Sequence, residues 1–188
     1  MILKLFVIFT LMTTGCNKDD DNKDDEGCVK EENYFEAEFD NETIEPYYNH
    51  GGGFGLYTLY MQRCSPNDNT WLITIRTEDD LSLYITITNL DVIGNYSISS
   101  GNPNHIAIDC AEVTSVFIED EATNSYTFIS SSNGTIEIRE FDNGSGILVG
   151  TFSCEMVSTA DPSIKKTITG DFNLNKSTLD NTKKPCWL

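Results

Sequence analysis

From Tyr34 onward, apolar residues return at every second position, and this period constrains the fold more than any other feature of the chain. Phe35, Ala37 and Phe39 alternate with Glu36, Glu38 and Asp40, and Trp71, Ile73 and Ile75 with Leu72, Thr74 and Arg76. Leu81, Leu83, Ile85 and Ile87 repeat the pattern, as do Ile136 and Ile138. Leu148, Gly150, Phe152, Cys154 and Met156 share one face, as do Ile164, Ile168, Gly170, Phe172 and Leu174. Successive side chains on a strand point to opposite faces, so such segments bury one face and wet the other. No segment places apolar residues at i, i+3, i+4 and i+7 over three turns, so no amphipathic helix is expected.

Turn-forming residues separate the runs at Asp40-Asn41, Ser65 to Asp68, Glu78-Asp79-Asp80, Asn102-Pro103-Asn104 and Asp161-Pro162. Asn133-Gly134 and Asp142-Asn143-Gly144 are expected to reverse the chain, the second joining residues 134–141 to 147–157 as a hairpin. About nine or ten short strands make an all-β antiparallel domain over residues 33–176. A two-sheet β-sandwich is the expected form, with a lipocalin-like closed β-barrel as the alternative. A domain of this length buries about two-thirds of its surface, enough to fold on its own core.

The N-terminus reads as an address. Lys4 precedes an apolar run through Met12, too short to span a bilayer, and the run ends in Thr13-Thr14-Gly15-Cys16. This resembles a bacterial lipobox, with Thr13 standing where a large aliphatic residue is usual. The resemblance implies a signal peptide over 1–15 and acyl chains on the Cys16 thiol as membrane anchor. Each buried CH₂ adds about 0.8 kcal/mol, so two or three chains would hold the protein firmly. Residues 17–32 follow with eight acidic residues against three lysines, a net of −5. Such a block (16–32 with the cysteine) is expected as an extended tether of roughly 20–25 Å or more. It lacks the glycine and glutamate spacing of an EF-hand loop. Lys18-Asp19-Asp20 resembles the export tag of Bacteroidota surface lipoproteins, which implies display on the outer membrane.

A wider resemblance covers most of the remaining chain. Phe35-x-Ala37-x-Phe39-Asp40, Gly94-Asn95-Tyr96, Gly134 to Asp142, Gly150-Thr151-Phe152-Ser153-Cys154 and Ile168-Thr169-Gly170-Asp171-Phe172 occur in order. With the acidic tether, this is similar to small uncharacterised Bacteroidota outer-membrane lipoproteins, a family of unknown function. Cys154 stands where that family carries a second aromatic. The resemblance implies a location and a fold type, and it brings no catalytic residues.

Little else in the sequence points to chemistry. Five cysteines remain after Cys16, and bridges 28–186 and 64–110 are expected, with Cys154 a buried thiol. No C-x₂₋₄-C spacing exists and neither histidine lies near a cysteine pair, so no metal or other cofactor is expected. His50 and His105 sit in turn-like sequence without a nucleophile elbow, and Gly51 to Gly55 lacks the helix and lysine of a phosphate loop. Glu78-Asp79-Asp80 and Glu119-Asp120-Glu121 read as solvated turns. The formal charge of −18 opposes nucleic-acid binding. Tyr57, Tyr60 and Trp71, with Tyr47 and Tyr48 nearby, form an aromatic-rich stretch able to stack on sugar rings and are the expected binding surface.

The resulting expectation is a non-enzymatic, lipid-anchored protein of the outer membrane, displayed at the cell surface, that binds an extracellular glycan, peptide or protein. The alternatives are an accessory subunit of an envelope complex and a small-ligand-carrying β-barrel. Residues 177–188 are expected as a C-terminal tail.

Overall fold

The computed structural model describes residues 32–49, 56–65, 68–102, 111–185 and 188. The signal segment, Cys16, the tether up to residue 31, Cys28, His50, Gly51 to Gly55, His105, Cys110 and Cys186 lie outside the described residues.

Twelve strands form among the described residues, more than the nine or ten expected. They are β1 (Tyr34–Phe39), β2 (Glu42–Ile44), β3 (Tyr48–Asn49), β4 (Leu56–Tyr57), β5 (Leu59–Ser65), β6 (Asp68–Arg76), β7 (Leu81–Ile87), β8 (Gly94–Ser97), β9 (Ser115–Asp120), β10 (Ser125–Asp142), β11 (Ile147–Ser158) and β12 (Lys165–Asn175). The chain is all-β and antiparallel, with no helix among the described residues. Hydrogen bonding joins ten strands into one sheet in the order β2-β1-β12-β11-β10-β9-β7-β6-β5, with β8 paired to β10. This sheet curls into a half-barrel. A separate pair, β3 and β4, completes the set.

The concealed face carries the residues that alternation selected, save Ile164, which precedes β12 and is 45% exposed. Phe35, Ile73, Ile75, Ile85, Ile87, Val116, Ile136, Ile168 and Phe172 are wholly buried in one cluster. Rings interlock within it: Phe35 stacks on Phe152 at 6.0 Å, and Phe39 meets Phe128 edge-on at 5.0 Å. Asp40 and Asn41 both adopt positive φ (55° and 68°) between β1 and β2, the backbone that a two-residue type I′ hairpin requires.

Two expectations change. Asn133-Gly134 does not reverse the chain: β10 runs through it as a bulge in which Ser131, Ser132 and Asn133 oppose Glu155 alone. Gly134 is required there by crowding, since a Cβ would fall 2.3 Å from Cys154 Cβ and 2.7 Å from the Ser153 carbonyl oxygen. The reversal instead comes at Asp142 to Gly146, where Asp142 Oδ1 accepts the Gly144 N–H at 2.8 Å.

The second change concerns the C-terminus. Residues 177–185 do not trail away but bridge β4 and β5 to the segment just ahead of β1. Asn181 Nδ2 donates to the carbonyls of Tyr57 (2.9 Å) and Leu59 (2.5 Å), and the Asn181 carbonyl accepts the Tyr57 N–H at 2.6 Å. On the other side, Thr178 Oγ1 donates to Glu32 Oε2 at 2.7 Å and accepts from Asn33 Nδ2 at 3.0 Å. Asn33 Oδ1 takes the Asn175 N–H at 2.8 Å. Leu179 and Leu188 pack, partly buried, against the core.

Candidate functional site

The three aromatics expected to form a binding surface are not on one face. Tyr57 and Trp71 are each 2% exposed and belong to the core. Tyr57 donates its hydroxyl to the Asn33 carbonyl at 3.3 Å, and Trp71 meets Phe141 edge-on at 6.4 Å. Lys176 Nζ lies 6.0 Å from the Trp71 ring centroid, over a buried Nε1 that has no hydrogen-bond partner among the described residues. Tyr60, at 36%, is the only one of the three that reaches solvent. Its neighbours Leu59 and Met61 point inward, and the pairings Tyr60 with Thr74 and Arg63 with Trp71 set it on the opposite face from the indole. The stacking surface expected from Tyr57, Tyr60 and Trp71 is therefore corrected: two of its members hold the core together.

The other sequence candidates resolve as follows. The acidic turns at 78–80 and 119–121 come together, the Glu121 N–H donating to the Asp80 carbonyl at 3.0 Å. Arg76 Nε pairs with Glu121 at 2.6 Å and compensates part of that charge. Cys154 is a free, buried thiol beside Met156 (Sγ to Sδ 3.5 Å), its acidity suppressed by burial to a pKa of about 12. Cys64 is disulfide-bonded. No cluster of three or more metal-ligating side chains occurs among the described residues.

A different feature emerges on the solvent side of β8, β10, β11, β12, β1 and β2. A groove of about 920 Å³ opens there. Its floor is built by register. One row runs Asn95, Glu137, Thr151, Asp171, Glu36 across five neighbouring strands. The next runs Thr135, Ser153, Thr169, Glu38, Thr43. Each of these residues is the polar half of an alternation whose apolar half (Phe35, Ala37, Ile136, Phe152, Ile168, Phe172) fills the core. Sequence reasoning found the strands but not the groove, because its members come together only once β1 lies beside β12.

The lining holds four carboxylates (Glu36, Glu38, Glu137, Asp171) against one guanidinium, Arg139. At its margin the Tyr34 hydroxyl donates to Asp171. Partial burial, with the Asp171 carboxylate second, raises the Tyr34 pKa to about 12. A smaller hollow of about 350 Å³ adjoins it, where Lys165 pairs with Glu155 (2.9 Å) and Lys166 with Asp40 (2.7 Å). Such a face offers hydroxyls, carboxylates and one guanidinium to a ligand, and its only aromatic is the buried Phe152.

The tyrosines set an alkaline limit on the fold. Burial is the leading cause of raised pKa at Tyr34 and Tyr84 (each about 12) and, further still, at Tyr57 and Tyr126. An unfolded tyrosine ionises near 10. Stability is therefore intact below about pH 10 and falls as pH rises toward 12, because the unfolded chain releases protons that the folded chain retains. The urea midpoint should be lower at pH 11 than at pH 9. Equal midpoints would contradict the burial of these hydroxyls.

Compared with protein-family models, with curated proteins and with solved structures, the chain matches none of them.

Proposed function

We propose that this chain is a non-catalytic binding module of the bacterial outer membrane, anchored through acyl chains on Cys16 and displayed outward on its acidic tether. Its ligand, an extracellular glycan, peptide or protein, lies across the polar groove rather than on Tyr57, Tyr60 and Trp71. The lipobox-like Thr13 to Cys16, the Lys18-Asp19-Asp20 segment and the ordered motifs from Phe35 to Phe172 support the location and the resemblance to Bacteroidota lipoproteins. The observation that carries the binding reading is the open groove of about 920 Å³ on the solvent side of the half-barrel. In the same reading the bridges are 28–186 and 64–110, which an oxidised peptide map would resolve.

Two measurements test it together. Cys16→Ala should move the protein from the membrane fraction of its native envelope to the soluble fraction. The purified domain, screened on glycan, peptide and protein arrays, should bind a ligand whose affinity falls at least tenfold when Thr151→Trp fills the middle of the groove. Retention of the Cys16→Ala variant in the membrane removes the anchor, and silence across the arrays removes the binding role.

A further inference from the structure

Taking the polar groove as the binding face, we infer that its partner is a basic, extended segment of another protein, presenting Lys or Arg side chains along one edge.

Charge comes first. Four carboxylates share the groove with one guanidinium, in a chain whose formal charge is −18. The nearest lysines do not neutralise this field, because Lys165 and Lys166 are paired with Glu155 and Asp40. An anionic ligand meets repulsion on every approach, whereas a cationic one is steered in. Neutral sugar rings are disfavoured for a different reason. The lining exposes no aromatic face, its one ring being Phe152 at 3% exposure.

Spacing then selects an extended chain. Glu137, Thr151, Asp171 and Glu36 occupy one row on four successive strands. Strands lie about 4.8 Å apart, so Glu137 and Glu36 anchor points are about 14 Å apart. Side chains at i and i+4 of an extended peptide are separated by about 13–14 Å. A basic residue at each of these positions thus reaches one carboxylate at either end of the row. The hydroxyls of Thr135, Ser153 and Thr169 run parallel to it and offer partners to the peptide backbone. Arg139, two residues beyond Glu137 on β10, flanks that row on the side away from Thr135 and repels a further basic side chain there.

The test uses a fluorescent heptapeptide with Lys at alternate positions, a matched Glu heptapeptide and a neutral hexasaccharide, each titrated into the folded domain at physiological salt. An exposed ion pair changes affinity by up to about fivefold, so several together give a large signal. The Lys peptide should bind, weaken as salt is raised, and lose at least tenfold in Glu36→Gln/Glu38→Gln/Glu137→Gln/Asp171→Asn. A second variant removes four exposed carboxylates elsewhere, Glu78→Gln/Asp79→Asn/Asp80→Asn/Glu112→Gln, and should stay within about twofold of the parent. Equal losses in both variants mean diffuse attraction to an acidic surface and overturn the inference. So does a parent domain that ignores the Lys peptide. Hexasaccharide binding that is lost with the groove carboxylates overturns the basic partner while leaving the groove as binding face. Array ligands unaffected by any groove variant overturn both.

Discussion

Ending the chain at Lys176 should bring the domain close to unfolding. The missing segment supplies three hydrogen bonds between Asn181 and the backbone of Tyr57 and Leu59, and two that join Thr178 with Glu32 and Asn33. At about 1 kcal/mol each, these sum to about 5 kcal/mol. Partial burial of Leu179 adds about 1 kcal/mol. That total reaches the low end of the 5–15 kcal/mol that holds an ordinary domain together. The loss is sharpened because Tyr57 and Leu59 are buried, so their freed peptide groups have little water to turn to. The measurement is a urea unfolding curve. Asn181→Ala should cost about 1–3 kcal/mol, and it separates the loss of the clasp from the loss of Cys186, which leaves with the truncated segment. A truncated chain with an unchanged midpoint would mean that β4, β5 and the segment ahead of β1 hold together without residues 177–188.

That clasp shows where reading the sequence stops. The strands were legible because alternation is a local signal: Phe35, Ala37, Phe39 and Ile136, Ile138 are inward as their period requires. Residues 177–185 have no period, and their bonds to Tyr57, Leu59, Glu32 and Asn33 reach more than 120 positions away in sequence. The groove was half legible. Its carboxylates and hydroxyls were visible as the polar positions of known strands, but their adjacency depends on β1 pairing with β12, Glu36 facing Asp171. The aromatic surface failed for a reason the period itself contained. Trp71 shares its parity with Ile73 and Ile75, both wholly buried, and a strand cannot turn one member of such a set outward without a bulge. Asn133-Gly134 failed because the same dipeptide serves a reversal or a bulge, and the choice rests on the close approach of Cys154.

Phe152→Ala should cost about 3–5 kcal/mol, and the way it combines with a change at Gly170 should reveal how the floor of the groove is built. Both β11 and β12 carry Gly-x-Phe, as Gly150-Thr151-Phe152 and Gly170-Asp171-Phe172. Antiparallel pairing sets Phe152 opposite Gly170 and Phe172 opposite Gly150. Each ring lies across the glycine it faces. A Cβ on Gly170 would fall 2.5 Å from Phe152 Cε1, and one on Gly150 would fall 3.0 Å from Phe172 Cζ. The two outward residues between glycine and phenylalanine, Thr151 and Asp171, are groove residues, so this crossed pair sets their height and separation. Gly170→Ala should displace Phe152 from its stack on Phe35 and cost about 1–3 kcal/mol, part of it from the Glu36 carbonyl oxygen at 2.8 Å. With Phe152→Ala already in place, the new methyl enters space the ring has vacated, and only the carbonyl contact still opposes it. The double variant should therefore be more stable than the sum of the single losses by about 1 kcal/mol or more, measured as a thermodynamic cycle in urea. Strict additivity would show that the ring and the glycine do not share that space.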